Sequence, residues 1–320
     1  MLKIGIIGGG VGSAVGYAHV SAMRMTGQIE IIGGYFSSDL AKCRESAEGY
    51  GAPHHYSSIG TMLAIGQPDR VVVLSPTPQH YGHVDQCLRS GVPVLCEKAL
   101  CETSAGAALL ADFSDKLRVP LSCVFNYVFY PAVRELKRIV QGKDLGRITN
   151  IHIEMPQQSY LTGTPQRWRL TDKMIHLDLG VHVHHMLNFL LEAEADEIET
   201  LEAAYSDVGV IDYVTGIMTF KDVLVNAWYG KVCAGYNNGL RIRVFGTAGS
   251  VEWYQMQPDI LKISNAIIEI ANPRFKLGHP TGFVEALANM YGAWIMDPKH
   301  PDLSAELAIT GLRTIERGQK

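Results

Sequence analysis

The chain has 320 residues, 47% of them hydrophobic and 19% charged, with a net charge of −4. That balance excludes a disordered chain, and the length suits two cores better than one. No stretch gathers Lys and Arg into a stripe and no apolar run approaches the roughly 18 residues that cross a bilayer, so neither nucleic acid nor membrane is the expected partner.

The opening run Met1-Leu2-Lys3-Ile4-Gly5-Ile6-Ile7-Gly8 lacks a cleavage-type small-residue site after a long apolar core, and reads as a buried strand. Short apolar runs at 3–8, 29–34, 70–75, 92–96 and 121–125 alternate with amphipathic stretches near 13–26, 39–50, 58–64, 80–90 and 104–116. Continuous apolar strands separated by helices predict a doubly wound parallel sheet, the α/β Rossmann architecture. Beyond residue 125 the rhythm changes. A helix over 131–141 ends at Gly142, a strand covers 147–154, and an irregular segment over 155–171 precedes a helix over 178–192. Strand-like runs with turn signals fill 198–270, and helices over 282–296 and 304–317 close the chain. This part predicts an α+β domain with a large, open, mostly antiparallel sheet. The expected domains are 1–124, binding a dinucleotide, and 125–320, binding substrate and mediating oligomerisation. Six scattered cysteines without a CxxC pair read as reduced, buried thiols of a cytoplasmic enzyme.

The first strand runs into Gly8-Gly9-Gly10-Val11-Gly12-Ser13-Ala14-Val15-Gly16. A dinucleotide loop needs glycine where the chain turns tightly and where backbone approaches a pyrophosphate, and the next helix supplies free N–H groups. Gly8 and Gly10 fill the first two positions of GxGxxG; the third falls on Ser13, while Gly12 and Gly16 offer an altered spacing. The expected cofactor contacts are therefore Gly8, Gly10, Val11, Gly12 and Ser13; a plain tight turn is the alternative. After the second strand, Asp39 arrives late for a ribose-binding carboxylate, whereas Ser37 and Ser38 suit a 2′-phosphate, with Lys42 or Arg44 nearby. The same serines suit helix capping. The cofactor is thus NAD or NADP.

Ser75-Pro76-Thr77-Pro78-Gln79-His80 and Gly91-Val92-Pro93-Val94-Leu95-Cys96-Glu97-Lys98-Ala99-Leu100 resemble the Gfo/Idh/MocA oxidoreductases, the glucose–fructose oxidoreductase and inositol dehydrogenase relatives. Phe125-Asn126-Tyr127, Asp178-Leu179-Gly180-Val181-His182 and the run from Arg241 to Ser250 continue the likeness in order along nearly the whole chain. The resemblance implies cofactor contacts at Ser75, Pro76, Thr77, His80, Glu97 and Lys98, and catalysis by Lys98, Asp178 and His182. The positions are chemically coherent in themselves. Ser75 and Glu97-Lys98 follow predicted parallel strands, where ligands bind. Asp178 and His182, four apart, share a helix face, where an imidazole can take a hydroxyl proton as hydride leaves the same carbon. Taken singly, the lysine reads as a solvated loop residue and the Asp/His pair as a cap and a core histidine. Taken with the glycine loop and the motif order, they read as catalytic.

The chain departs from the family pattern at several positions. Ala99 replaces the usual proline, and a cis bond before a non-proline residue costs about 2.5–4 kcal/mol, so Lys98–Ala99 is expected to be trans. Lys173, Met174 and Ile175 stand where paired glycines are usual, His185 where a second Asp follows, and Val128 where an arginine is common. His176, His182, His184 and His185 crowd one segment. A metal site built from Asp178, His182 and His185 is the minority reading and pocket-lining or core histidines the majority one, so no metal is expected. Tyr127, Trp168 and Arg169, with Lys98, Asp178 and His182, are the expected substrate contacts; Arg167, Gln157 and Tyr160 lie in the same irregular segment. Surface packing is the alternative for these loop residues.

The function these features support is reversible oxidation of a secondary alcohol, by resemblance on a sugar, nucleotide sugar or cyclitol, in a homodimer or homotetramer. One rival is an enzyme that eliminates or hydrolyses a glycosidic bond with its NAD recycled. The other is a nucleotide-bound regulator without turnover, against which Lys98, Asp178 and His182 argue.

Overall fold

Five apolar runs form the first sheet: β1 (Leu2–Gly8), β2 (Ile29–Tyr35), β3 (Arg70–Leu74), β4 (Val94–Cys96) and β5 (Leu121–Cys123). In the computed structural model, which describes residues 1–163, 165–274 and 279–319, these strands are parallel in the order β2-β1-β3-β4-β5. Ile6, Ile7, Val71, Val72 and Val73 are all completely buried. Neighbours along a strand point to opposite faces, so burial of consecutive residues requires cover on both sides. The helices between the strands are α1 (Gly16–Met25), α2 (Leu40–Gly49), the single turn α3 (Ile59–Thr61), α4 (Thr77–Arg89) and α5 (Ser104–Leu117). Asp39 starts α2 by accepting hydrogen bonds from the amides of Ala41 and Lys42, and Thr103 starts α5 by accepting one from Gly106 N. The six cysteines are free, and five are buried.

The chain divides into two compact units, and the division corrects the expected boundary. Phe283–Ile309 groups with Met1–Asn126, while Tyr127–Gly282 groups with Thr310–Lys320. The reason is the apolar face of α8 (Phe283–Met296), where Tyr291 and Trp294 are fully buried. Tyr291 OH lies 2.6 Å from His19 Nδ1 on α1, and the Arg70 guanidinium donates to the carbonyls of Trp294 and Ile295. A helix predicted correctly from its periodicity thus completes the core of the other unit. Periodicity names a buried face and leaves open what buries it.

The second unit is built on α6 (Pro131–Gln141), β6 (Ile148–Pro156), α7 (Val181–Leu191), β7 (Glu197–Ala203), β8 (Tyr213–Phe220), β9 (Val223–Gly230), β10 (Arg241–Gly246), β11 (Ser250–Tyr254), β12 (Ile260–Ile263) and β13 (Ala266–Glu269). The last helix, α9 (Ala305–Gly318), runs from the first unit into the second. The sheet has the order β13-β12-β11-β10-β6-β9-β8-β7 and is antiparallel except for the β6–β9 pair. Its strands alternate: Ile151, Ile153 and Met155 are buried, while His152 and Glu154 between them are half-buried. One face therefore packs on helices, with Tyr130 at the start of α6 tilted against Trp253 of β11 at 5.5 Å. The other face carries a mixed row in register: Ile217, Asn226, His152, Arg243, Glu252 and Lys262.

Candidate active site

The glycine turn leaves β1 at Gly8, whose φ is +74° and where a Cβ would lie 2.6 Å from the Ser75 backbone at the end of β3. The predicted helix start at residue 13 is corrected: α1 begins at Gly16, because Ser13 forms a turn whose Oγ accepts from the amides of Val15 and Gly16, both at 3.3 Å. A Cβ on Gly16 would lie 2.0 Å from Gly9 O and 2.3 Å from Tyr50 OH. This is the close strand–helix approach that the third glycine of a dinucleotide loop permits. Gly16, rather than Ser13, fills that position, so five residues separate the second and third glycines where GxGxxG has two. At the crest, Gly12 has φ +94° with nothing within 4 Å of a Cβ, and Val11 is exposed. Ser46 Oγ holds the Val11 amide, and Tyr50 OH donates to Gly9 O with its pKa pushed up to about 12 by burial; neither anchor was foreseen. A tight turn, an open crest and the positive end of a ten-residue helix together fit a dinucleotide pyrophosphate.

Past β2, Asp39 spends its carboxylate on the α2 cap, and Ser37 Oγ accepts from Asp39 N. That bond closes a turn just ahead of the helix; the cap of α2 is Asp39 and not Ser37. Ser38 and Lys42 are exposed. Pro76 leads into α4, which starts at Thr77. At the ends of β3 and β4, Ser75, Thr77, His80 and Glu97 are buried and Lys98 is half-buried. His80 places Nδ1 2.7 Å from Ala99 O and Nε2 2.7 Å from Ser75 O; burial pushes its pKa down, and a neutral ring donates to only one of the two. The Glu97 carboxylate lies 2.9 Å from His19 Nε2, and the opposite ring nitrogen meets Tyr291. Burial alone would raise Glu97; the His19 hydrogen bond and charge, with Lys98 and His80, more than offset it and leave the carboxyl below its usual range. The Lys98–Ala99 bond is cis, against the expectation drawn from alanine. The loop's conformation follows its tertiary partners: Glu97 N donates to Val73 O, Lys98 N to Glu97 Oε2, and Ala99 is buried with its carbonyl on His80.

In the second unit, Asp178 lies in a π-helical turn (His176–Gly180) that runs directly into α7. The wider turn replaces the uniform helix from which the shared face of Asp178 and His182 was argued. Asp178 Oδ2 accepts from Arg169 Nη1 and from Lys231 Nζ, each at 2.7 Å. Lys231, just past β9, is 1% exposed and its ammonium lies 4.8 Å from the centre of the Tyr160 ring. Tyr160 OH donates to Arg169 O, and the Arg169 guanidinium sits 4.4 Å over Trp168. His182, also buried, meets Tyr127 edge-on at 4.8 Å. Tyr127 OH accepts from Asn238 Nδ2 at 2.7 Å, and Gln157 Nε2 donates to Asn238 Oδ1. Burial drives the Tyr127 hydroxyl well above its ordinary pKa, so it stays protonated.

Of the expected residues in this unit, Arg169, Trp168 and Tyr160 therefore join Asp178, and Tyr127 and Gln157 join the His182 side. Arg167 is exposed. Lys231 and Asn238 were missed. A lysine ending a strand and an asparagine in a turn look like solvated residues, and only the fold turns them inward. Two of the other histidines pack on different partners. His176 Nδ1 bonds Tyr229 OH at 2.8 Å, and burial drives its pKa down to about 4. Its Nε2 is 3.0 Å from Glu202 Oε1 but not aligned for a hydrogen bond. His184 packs near Gly311 of α9 and is driven down to about 3, again by burial first. Both are neutral core residues at ordinary pH. Among the described residues no group of three or more His, Cys, Asp or Glu is arranged to hold a metal ion.

Two family models match. Residues 2–125 match the oxidoreductase family with an NAD-binding Rossmann fold, and residues 133–252 match the GFO/IDH/MocA C-terminal domain. Glucose-6-phosphate 3-dehydrogenase of Bacillus subtilis is 25% identical, over 99% of this chain and 94% of that protein. Inositol 2-dehydrogenase 2 of Saccharopolyspora erythraea is 25% identical over 72% of this chain and 68% of its own length. An inositol dehydrogenase homologue of Azotobacter vinelandii, solved with NADH and myo-inositol, superposes with a TM-score of 0.89 at 22% identity, covering 99% of this chain and 94% of that one.

Proposed function

The chain belongs to the Gfo/Idh/MocA oxidoreductases, and from that premise we propose that it oxidises, reversibly, a secondary alcohol of a sugar, nucleotide sugar or cyclitol. The observation that carries this reading is the Asp178 carboxylate, bound to two cations one turn before a buried histidine set against Tyr127. His182 takes the hydroxyl proton as the carbon is oxidised and returns it on reduction. Lys98 donates a hydrogen bond to the reacting oxygen. Asp178 stabilises the imidazolium that forms or holds a neighbouring hydroxyl. Nicotinamide, when bound, accepts or supplies the hydride. The glycine turn and the α1 N-terminus hold the pyrophosphate, and Ser75, Pro76, Thr77, His80 and Glu97 shape the strand ends beside it.

The test is a panel of polyols, sugars, sugar phosphates and nucleotide sugars, followed at the reduced-nicotinamide absorbance. Both cofactors belong in it: Asp39 is committed to capping, while exposed Ser38 and Lys42 leave room for a 2′-phosphate. Substrate-dependent reduction is expected with at least one cofactor. Glycoside cleavage without net absorbance change would favour the NAD-recycling reading, and tight cofactor binding with no turnover across the panel would sink an enzymatic one. Five buried free thiols fit a reducing, cytoplasmic setting.

We also place a second copy of the chain on the open face of the large sheet. Ile217 and Leu224 are exposed there beside Tyr213 stacked on Trp228, and Arg243, Glu252 and Lys262 alternate in sign along one row. A two-fold axis passing between Arg243 and Glu252 would set each of these against the other in the second copy. Sedimentation is expected to give a dimer or tetramer, and Ile217→Lys to lower the mass; a monomer at micromolar concentration would refute the placement.

A further inference from the structure

We propose that Lys231 is a positioning residue that keeps Asp178 ionised and fixes its orientation. The inference rests on the reading above that Asp178 takes part in the reaction. Lys231 is anchored at three levels: its amide donates to Asp212 O at 2.8 Å, its carbonyl accepts from Tyr160 N at 3.1 Å, and its ammonium reaches Asp178 Oδ2 at 2.7 Å over the Tyr160 ring. A fully buried ammonium is costly, and an apolar side chain of similar length would fill the same space, so packing alone does not account for it. Asp178 has a second cation on the same oxygen, Arg169, whose side chain is 29% exposed and belongs to the irregular stretch before the π turn. The two anchors differ in kind. Arg169 is partly exposed on a single 3-10 turn, whereas Lys231 is buried just past β9, its backbone bonded to Asp212 ahead of β8 and to Tyr160. The inner cation keeps the carboxylate charged and aimed whatever the outer one binds.

Around this pair lie Arg169 and Tyr160 from the irregular segment, Tyr127 ahead of α6 and Asp212 before β8. Asp212 already accepts from the amides of Tyr205 and Ser206. Removing the inner cation favours protonation of a carboxylate, so the acid limb of the rate profile moves to higher pH.

The experiment uses the full chain, the best substrate of the panel above and NADH fluorescence as a separate binding readout. Lys231→Met is expected to lower kcat by about tenfold at neutral pH, to raise the acid limb by about one pH unit and to leave NADH affinity within about two-fold. In an Asp178→Asn background the same lysine change is expected to alter kcat by less than about two-fold, since Lys231 then has no carboxylate to hold. This double variant removes the buried lysine together with the carboxylate, and the cation that remains, Arg169, is partly exposed, so the comparison remains readable even where Lys231→Met alone misfolds. A further tenfold loss in the double variant, or wild-type kinetics in Lys231→Met while Asp178→Asn is crippled, overturns the role of Lys231. Wild-type kinetics in Asp178→Asn instead remove the carboxylate from the reaction, and the functional reading fails first.

Discussion

Replacing His182 with alanine is expected to lower kcat by about 10²–10⁴-fold, the range that a positioned acid–base group contributes. Cofactor affinity should stay near wild type, because His182 belongs to the sheet-bearing unit and the glycine turn to the other. Lys98→Ala should behave alike on kcat, since a hydrogen bond to the reacting oxygen matters most where charge develops on it. Steady-state kinetics with cofactor binding by calorimetry separate the two effects, and near-normal turnover in both variants would withdraw the catalytic assignment. His176 and His184 serve as contrasts. Both are buried and neutral, so conservative changes there should act on stability and leave the pH dependence of turnover alone.

Gly16→Ala is the second change with a large expected effect. The added methyl carbon would sit 2.0 Å from Gly9 O, a backbone atom of the turn proposed to receive the pyrophosphate, and 2.3 Å from Tyr50 OH, which itself holds that carbonyl. Either α1 moves off the strand or the turn opens. Overpacking of this kind costs about 1–3 kcal/mol in stability, and cofactor affinity should fall by more than about tenfold. Gly12→Ala supplies the comparison: its methyl meets nothing within 4 Å, and the penalty is the positive φ alone, about 1 kcal/mol. Denaturant melts and NADH titrations of the two variants distinguish steric exclusion from backbone preference. Unchanged cofactor affinity in Gly16→Ala would show that the turn does not carry the dinucleotide.

The elements that sequence reasoning located best are those whose signal is local. The helix over 131–141 begins at a proline, ends at a glycine and repeats apolar residues at helical spacing, and it forms with those bounds. The strands of the first sheet are continuous apolar runs, and only their ends moved. What was illegible depends on partners distant in the chain. The third glycine could be assigned only once Gly9 O and Tyr50 were seen against Gly16. The cis bond at Lys98–Ala99 follows contacts with Val73 and His80 that a dipeptide preference does not contain. Lys231 and Asn238 carry no motif; β9 and the turn before β10 bring them to Asp178 and Tyr127. Asp178 and His182 could be proposed together from the sequence because they fall in one short motif of the family.

His19 and Tyr291, hydrogen-bonded inside the first unit, are 272 positions apart. A ribosome adding about 5–20 residues per second makes the tyrosine roughly a quarter of a minute to a minute after the histidine. During that interval α1 and β3 are exposed on the side α8 will occupy, so the unit begun first stays unfinished until most of the other has been made. Splitting the gene after the first 126 codons would therefore yield a nucleotide-binding half lacking a wall, and the two products would need to find each other to become stable.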